Sequence, residues 1–332
     1  MHAQILTSPA PIQRSPLQFA EVPDPRPGPG QILLRVSACG VCHTDLHTVE
    51  GELPAPRLPI IPGHQAVGRI AALGPDTGDW AVGDRAGVFW LHRSCGRCEF
   101  CRRGEENLCQ SAEFTGLTRD GGYAEYLVAE ADFALRLPDI FGDVHVAPLL
   151  CAGIIGYRSL RRADLKPGEV LGLFGFGASA HLALQVARHW GCRVFVFTRG
   201  AAHRELALSL GAEWAGDASD MAPAPLDRAV IFAPSGALVP AALERLRPGG
   251  TLAINAIFMS NLPELSYSLL YGERTMRSVT NATRRDAAEF LLLAAEIPIH
   301  VTANSFPLED ANRVLQMLKN GKVDGAAVLL PE

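Results

Sequence analysis

Val170-Leu171-Gly172-Leu173-Phe174-Gly175-Phe176-Gly177-Ala178-Ser179-Ala180 is the stretch that decides the fold. Residues 170–174 read as a short buried strand, and an apolar helical pattern over 178–189 begins where the glycines end. Between them stands G-x-G-x-x-A, in which the first glycine permits a tight turn and the second lets an anionic group approach the backbone. Gly175, Phe176, Gly177, Ala178 and Ser179 are therefore the expected cradle of a dinucleotide pyrophosphate, seated at a helix N-terminus whose amides point outward. Glycine-rich strand ends also serve as plain packing turns, so the motif gains its weight from lying between strand and helix.

Downstream the texture repeats. Apolar runs at 193–197, 229–232 and 251–256 alternate with helical stretches at 202–210 and 238–246, which predicts a doubly wound parallel sheet with helices on both faces. Upstream it changes. From Gln31 to Glu130, short apolar runs such as 32–36 and 67–72 are separated by Gly/Pro turns, the mark of a β-rich domain, and a helical stretch at 147–160 leads into Lys166-Pro167-Gly168. After about Asn281, helices at 286–295 and 308–319 and a last apolar run at 326–330 are expected to rejoin the first domain. The expected organisation is 1–152 with 283–332 as one domain and 153–282 as an inserted nucleotide domain.

A length of 332 residues also favours two cores over one. With 48% hydrophobic and 20% charged residues, and no apolar run long enough to span a bilayer, the chain reads as globular with no membrane partner. Its proline-rich start lacks the basic and apolar segments of a secretory leader, so a cytoplasmic location is expected. The net charge of -5 offers no basic footprint for nucleic acid.

Four of the eight cysteines, Cys95, Cys98, Cys101 and Cys109, form C-x2-C-x2-C-x7-C within a lobe at 93–110. Such spacing lets four thiolates converge on one ion and close a tetrahedral shell, as a structural zinc requires. An iron–sulfur ligand set and a redox dithiol are the alternatives. Three further residues are unremarkable alone: Cys42 in Gly40-Val41-Cys42-His43-Thr44-Asp45-Leu46-His47, His64 in Gly63-His64, and Cys151 in an apolar run.

Together these motifs resemble, over nearly the whole chain, the medium-chain zinc-containing alcohol dehydrogenases. The resemblance implies a GroES-like catalytic domain joined to a Rossmann cofactor domain. It implies two zinc ions per chain, the second held by Cys42, His64 and Cys151 with water or a substrate oxygen as fourth ligand. It implies a proton relay through Thr44 and the nicotinamide ribose to His47, with His43 near the pyrophosphate and Asp45 orienting His64. Two departures stand out: Gln65 follows the histidine where the family usually has Glu, and the tail Gly321-Lys322-Val323-Asp324-Gly325-Ala326 lacks an arginine used by many relatives.

The second strand of the nucleotide domain ends in Phe197-Thr198-Arg199, with no acid to accept the adenosine ribose hydroxyls. Arg199 suits a 2′-phosphate, so Thr198 and Arg199 point to NADP, with NAD as the alternative. Trp90, Leu91 and Leu53 match positions that line the substrate cleft in relatives, and Ile155 one near the nicotinamide. The expected activity is hydride transfer between a primary alcohol or aldehyde and NADP(H) or NAD(H), in a homodimer or homotetramer. The rival reading is a catalytically idle zinc- and nucleotide-binding protein on the same fold.

Overall fold

A computed structural model describes residues 1–297, 299–323 and 325–331; Asp324 of the tail lies outside them. The chain divides into two compact units, Met1–Cys151 with Asn281–Ala295 and Val301–Glu332, and Ala152–Thr280 with Glu296–His300. The segment Glu296–His300, expected from the sequence in the first domain, groups with the second. Gln185 holds it there, its Nε2 donating to the His300 carbonyl at 3.1 Å and its Oε1 accepting from the His300 N–H at 2.7 Å.

The first unit is built on a seven-stranded sheet whose centre is the long strand Gln31–Val41. Its inward residues Ile32, Leu34 and Val36 alternate with more exposed ones, the period of a strand buried on one face, and each contributes roughly 1.5–3 kcal/mol of burial. Antiparallel neighbours grip both sides of its C-terminal end. Gly40 lies opposite Gln65 of the strand Gln65–Leu73 and opposite Val328 of the strand Ala326–Leu330. That register sets Cys42, just beyond one strand, beside His64, just before the next.

The second unit holds a six-stranded parallel sheet in the order Trp214–Gly216, Arg193–Phe197, Val170–Phe174, Leu226–Ile231, Leu246–Ile254, Thr275–Ser278. The winding reverses beside Val170–Phe174, which pairs with Arg193–Phe197 on one side and Leu226–Ile231 on the other. Ligands of such sheets bind at the carboxyl ends of the strands at this switch point. No helix among the described residues is long and apolar enough to cross a membrane.

Candidate active site

Cys42 is the N-cap of the helix His43–Glu50. Its sulfur accepts from the Thr44 N–H at 3.3 Å, while Asp45 Oδ2 accepts from the Cys42 N–H at 2.9 Å, a reciprocal capping box. A thiolate is favoured there by the outward amides of the first helical turn. His64 is aimed by a turn that admits only glycine before it: Gly63 has φ +95°, and a Cβ would stand 2.3 Å from the Tyr123 ring. Cys151 follows the 3₁₀ turn Ala147–Leu150 at φ -127°, ψ -73°, so the continuous helix expected over 147–160 is broken at this residue. The 3₁₀ turn, with Pro148 inside it, gives way to the helix Ala152–Arg162 only after Cys151.

Cys42 Sγ, His64 Nε2 and Cys151 Sγ all lie within 4.8 Å of one another, the first two 3.5 Å apart. His64 Nδ1 faces Asp45 Oδ1 at 2.9 Å, and both side chains are at most 3% exposed. The carboxylate thus fixes the ring with Nε2 turned to the sulfurs, the usual support of a metal-bound imidazole. Two sulfurs and one nitrogen suit Zn2+, and three donors leave a tetrahedral position open. Burial opposes charge on His64, but the Asp45 carboxylate and the Cys42 thiolate outweigh it and hold the ring at about 10. The Cys151 thiol, donating to Cys42, lowers Cys42 well below the ordinary thiol range against the cost of burial and is itself driven up. Metal-free, the trio therefore keeps protons that a bound cation displaces.

Around the trio, Thr44 and His47 stand three residues apart on one helix, which puts them on the same face. His43 is exposed at the helix start. Trp90 meets His64 edge-on at 5.1 Å between centroids and stacks on Phe114 at 5.1 Å. Of the other residues matched to a substrate cleft, Leu91 is 1% exposed and belongs to the core, Leu53 is half-buried with its N–H on the His47 carbonyl, and Ile155 is half-buried in the second unit. Gln65 is buried with its Nε2 making no hydrogen bond, and its Oε1 fills the space a Cβ on Gly40 would need. The Trp90–Phe114 stack and a 2.5 Å contact between His47 Nδ1 and Glu52 Oε2 carried no signal in the sequence.

The four-cysteine cluster is a separate centre. The sulfurs of Cys95, Cys98, Cys101 and Cys109 all lie within 4.8 Å of one another. Gly96, at φ +68°, turns the chain so that the Cys98 N–H reaches Cys95 Sγ at 3.3 Å, and the Cys95 N–H reaches Cys109 Sγ at 3.5 Å. Hydrogen bonds from the Arg97 and Cys98 amides bring Cys95 down to about 6. Four sulfurs fill a tetrahedral shell and leave no position for substrate. Among the described residues, all eight cysteines are free of disulfides.

In the second unit, Gly175 has φ +89° and no room for a Cβ beside Ala233, whereas Gly177 faces open space and caps the helix Ala178–His189 without a side-chain bond. Ser179 is half-buried, and the Phe176 side chain is 3% exposed, so Phe176 offers a ligand only its backbone. Thr198 is buried and Arg199 exposed. Arg204 binds both their carbonyls, at 2.9 and 3.1 Å, and pins this strand end.

Residues 28–139 match the family model of the alcohol dehydrogenase GroES-like domain and residues 180–296 that of the zinc-binding dehydrogenases. A probable alcohol dehydrogenase, AdhA, of Mycobacterium tuberculosis is 49% identical over 99% of this chain and 97% of its own length. The chain belongs to the zinc-containing alcohol dehydrogenase family. An alcohol dehydrogenase of Geobacillus stearothermophilus is 36% identical over 95% of this chain and 96% of its own. The solved structure of AibC superposes with a TM-score of 0.92 at 32% identity, covering 100% of this chain and 96% of that one. As in other zinc-containing alcohol dehydrogenases, the architecture is a GroES-like domain with a Rossmann domain. Its relatives are dehydrogenases, which favours an oxidoreductase over an idle binding protein.

Proposed function

We propose that this chain interconverts a primary alcohol and its aldehyde by hydride exchange with NADP(H), using Cys42, His64 and Cys151 to hold a catalytic zinc. The observation that carries the reading is the three-donor cluster left one ligand short, its imidazole fixed by buried Asp45. Zinc held there would supply Lewis acidity to the substrate oxygen, and a bound nicotinamide would supply the hydride chemistry. Thr44, two residues past Cys42 on the same helix as His47, moves the hydroxyl proton outward. Trp90, packed on His64, walls the substrate side with an apolar ring. Gln65, lacking the negative charge of the usual Glu, slows ligand exchange at the metal.

The four cysteines hold the second zinc and keep the lobe at 93–110 folded. The catalytic domain comprises 1–152 and 283–332 apart from Glu296–His300, and the cofactor domain comprises 153–282 together with that segment. The turn from Gly175 to Ser179 takes the pyrophosphate, and Arg199 takes a 2′-phosphate beside Thr198. A preference for NADP is supported by the absence of an acid at this strand end. Exposed Ile257, Leu262, Tyr267 and Tyr271 of the second unit support a homodimer or homotetramer, and thiols kept for metal support a cytoplasmic setting. Steady-state turnover of NADPH and NADH against a panel of aldehydes, alcohols and polyols tests the whole reading. Faster NADPH-linked reduction of an aldehyde is expected, and no turnover with any pair defeats it.

A further inference from the structure

Residues 121–123 are laced to the stretch of chain that leads into His64. The Gly121 N–H donates to the Ile61 carbonyl at 2.7 Å, the Gly122 N–H to the Gly63 carbonyl at 2.8 Å and the Tyr123 N–H to the Pro62 carbonyl at 3.0 Å. These bonds lay the Tyr123 ring on Gly63, so the bare Cα that aims His64 also seats the ring. Tyr123 is 0% exposed. Its hydroxyl makes no well-formed hydrogen bond, although Asp45 is near enough to act on it by charge and as an acceptor. A buried hydroxyl without a partner has lost its hydration and gained nothing in return, and native interiors rarely leave one so. Asp45 has acceptor capacity to spare: Oδ1 faces His64 Nδ1 and Oδ2 accepts from the Cys42 N–H, which leaves about half of the carboxylate's roughly four lone-pair positions open. Burial, and then the Asp45 charge, drive the phenol well above its ordinary range, so it keeps the proton it has to donate. The other titratable groups acting on this hydroxyl are Cys39 and Cys42, and the buried Cys39 thiol is turned to the Gly40 carbonyl at 3.8 Å.

We propose that Tyr123 is a positioning residue for the open cluster, its ring bracing the Gly63 turn and its hydroxyl donating to the Asp45 carboxylate that aims His64. This rests on the reading of Cys42, His64 and Cys151 as the catalytic zinc site. Being wholly buried, Tyr123 acts through Asp45 and His64 and not on substrate. Its neutral phenol supplies a buried carboxylate with a donor that water cannot supply there. A third donor also fixes the plane of the carboxylate, and with it the direction from which His64 Nδ1 is held. An imidazole already held in one orientation loses less freedom when a cation arrives, so the hydroxyl strengthens metal binding without being a ligand.

The test is Tyr123→Phe, which keeps the ring and removes the hydroxyl, made alone and together with Asp45→Asn in the full chain. Competition of a chelator for Zn2+ reads the open cluster separately from the four cysteines, and melting temperature reads the fold. Tyr123→Phe is expected to weaken zinc at the open cluster roughly three- to tenfold, less than the loss on removing the imidazole's own partner. Zinc at the four cysteines and the melting temperature are expected to stay close to those of the wild type. In an Asp45→Asn background, adding Tyr123→Phe is expected to weaken zinc by less than about twofold, because the charged acceptor is already gone. An equal loss in both backgrounds would overturn the proposal, and so would unchanged zinc affinity in Tyr123→Phe, whatever the melting temperature does. If Asp45→Asn weakens zinc while Tyr123→Phe does not, only the role of Tyr123 falls. A chain that takes up no zinc at Cys42, His64 and Cys151 defeats the metal-site reading and this inference with it.

Discussion

The two clusters proposed here to hold metal are built from opposite kinds of sequence, and the difference bears on the division between stability and chemistry. Cys95, Cys98, Cys101 and Cys109 come from one local loop, with backbone amides directed at their sulfurs and every position of the shell filled. Cys42, His64 and Cys151 come from three distant places, brought together by the pairing of Gly40 with Gln65 and by the glycine turn at Gly63. The local cluster organises its own loop around an ion. The assembled cluster needs a folded sheet first, and in the proposed reading its open fourth position is where substrate oxygen binds.

The contrast can be broken most strongly at the loop. Cys101→Ser is expected to remove one zinc per chain and open the lobe at 93–110 to limited proteolysis, while any chain that stays folded keeps its metal at Cys42, His64 and Cys151. Equal loss of both ions would show the clusters to be interdependent. Thr44→Val is expected to lower kcat by about 10²–10⁴-fold with zinc content unchanged, as read by steady-state kinetics beside metal analysis. Asp45→Asn takes the fixed carboxylate from His64 and should weaken zinc affinity or activity about 10–100-fold, measured by competition with a chelator. Arg199→Ala is expected to raise the KM for NADPH by roughly ten- to a hundredfold, matching the loss of about 1.5–3 kcal/mol of charge-assisted bonding, and to leave NADH nearly unaffected.

The smallest effect concerns the strand Glu113–Phe114, which links the lobe to Trp90. Arg119 bonds the Glu113 carboxylate through two nitrogens at 2.8 and 2.9 Å and, with burial opposing, holds it below its usual value of 4.5. A depressed carboxyl contributes stability above that usual value and loses it as pH falls further. Melting temperature should therefore drop below pH 4.5 a little less steeply in Glu113→Gln than in the wild type. The pair is partly exposed, so the difference is small.

What could be read from the sequence followed from locality. The strand Val170–Phe174, its glycine turn and the helix Ala178–His189 declare themselves because periodicity and turn chemistry lie side by side. The four cysteines do so by spacing. The edge strands Trp214–Gly216 and Thr275–Ser278 escaped because the first has three residues and the second reads Thr-Met-Arg-Ser, with no apolar alternation. The open cluster was legible only through resemblance, since nothing local marks Cys151 or His64. The contact of Glu52 with His47, the stack of Phe114 on Trp90 and the grip of Arg204 on Thr198 and Arg199 arise from tertiary placement alone.

Zinc content, melting temperature and turnover measured together on Cys42→Ala test the division between the two clusters most directly. One zinc per chain, a cooperative melt close to that of the wild type and no detectable oxidation of alcohols are expected. A variant that keeps two zincs, or that turns over alcohol at the wild-type rate with one, would place the chemistry elsewhere.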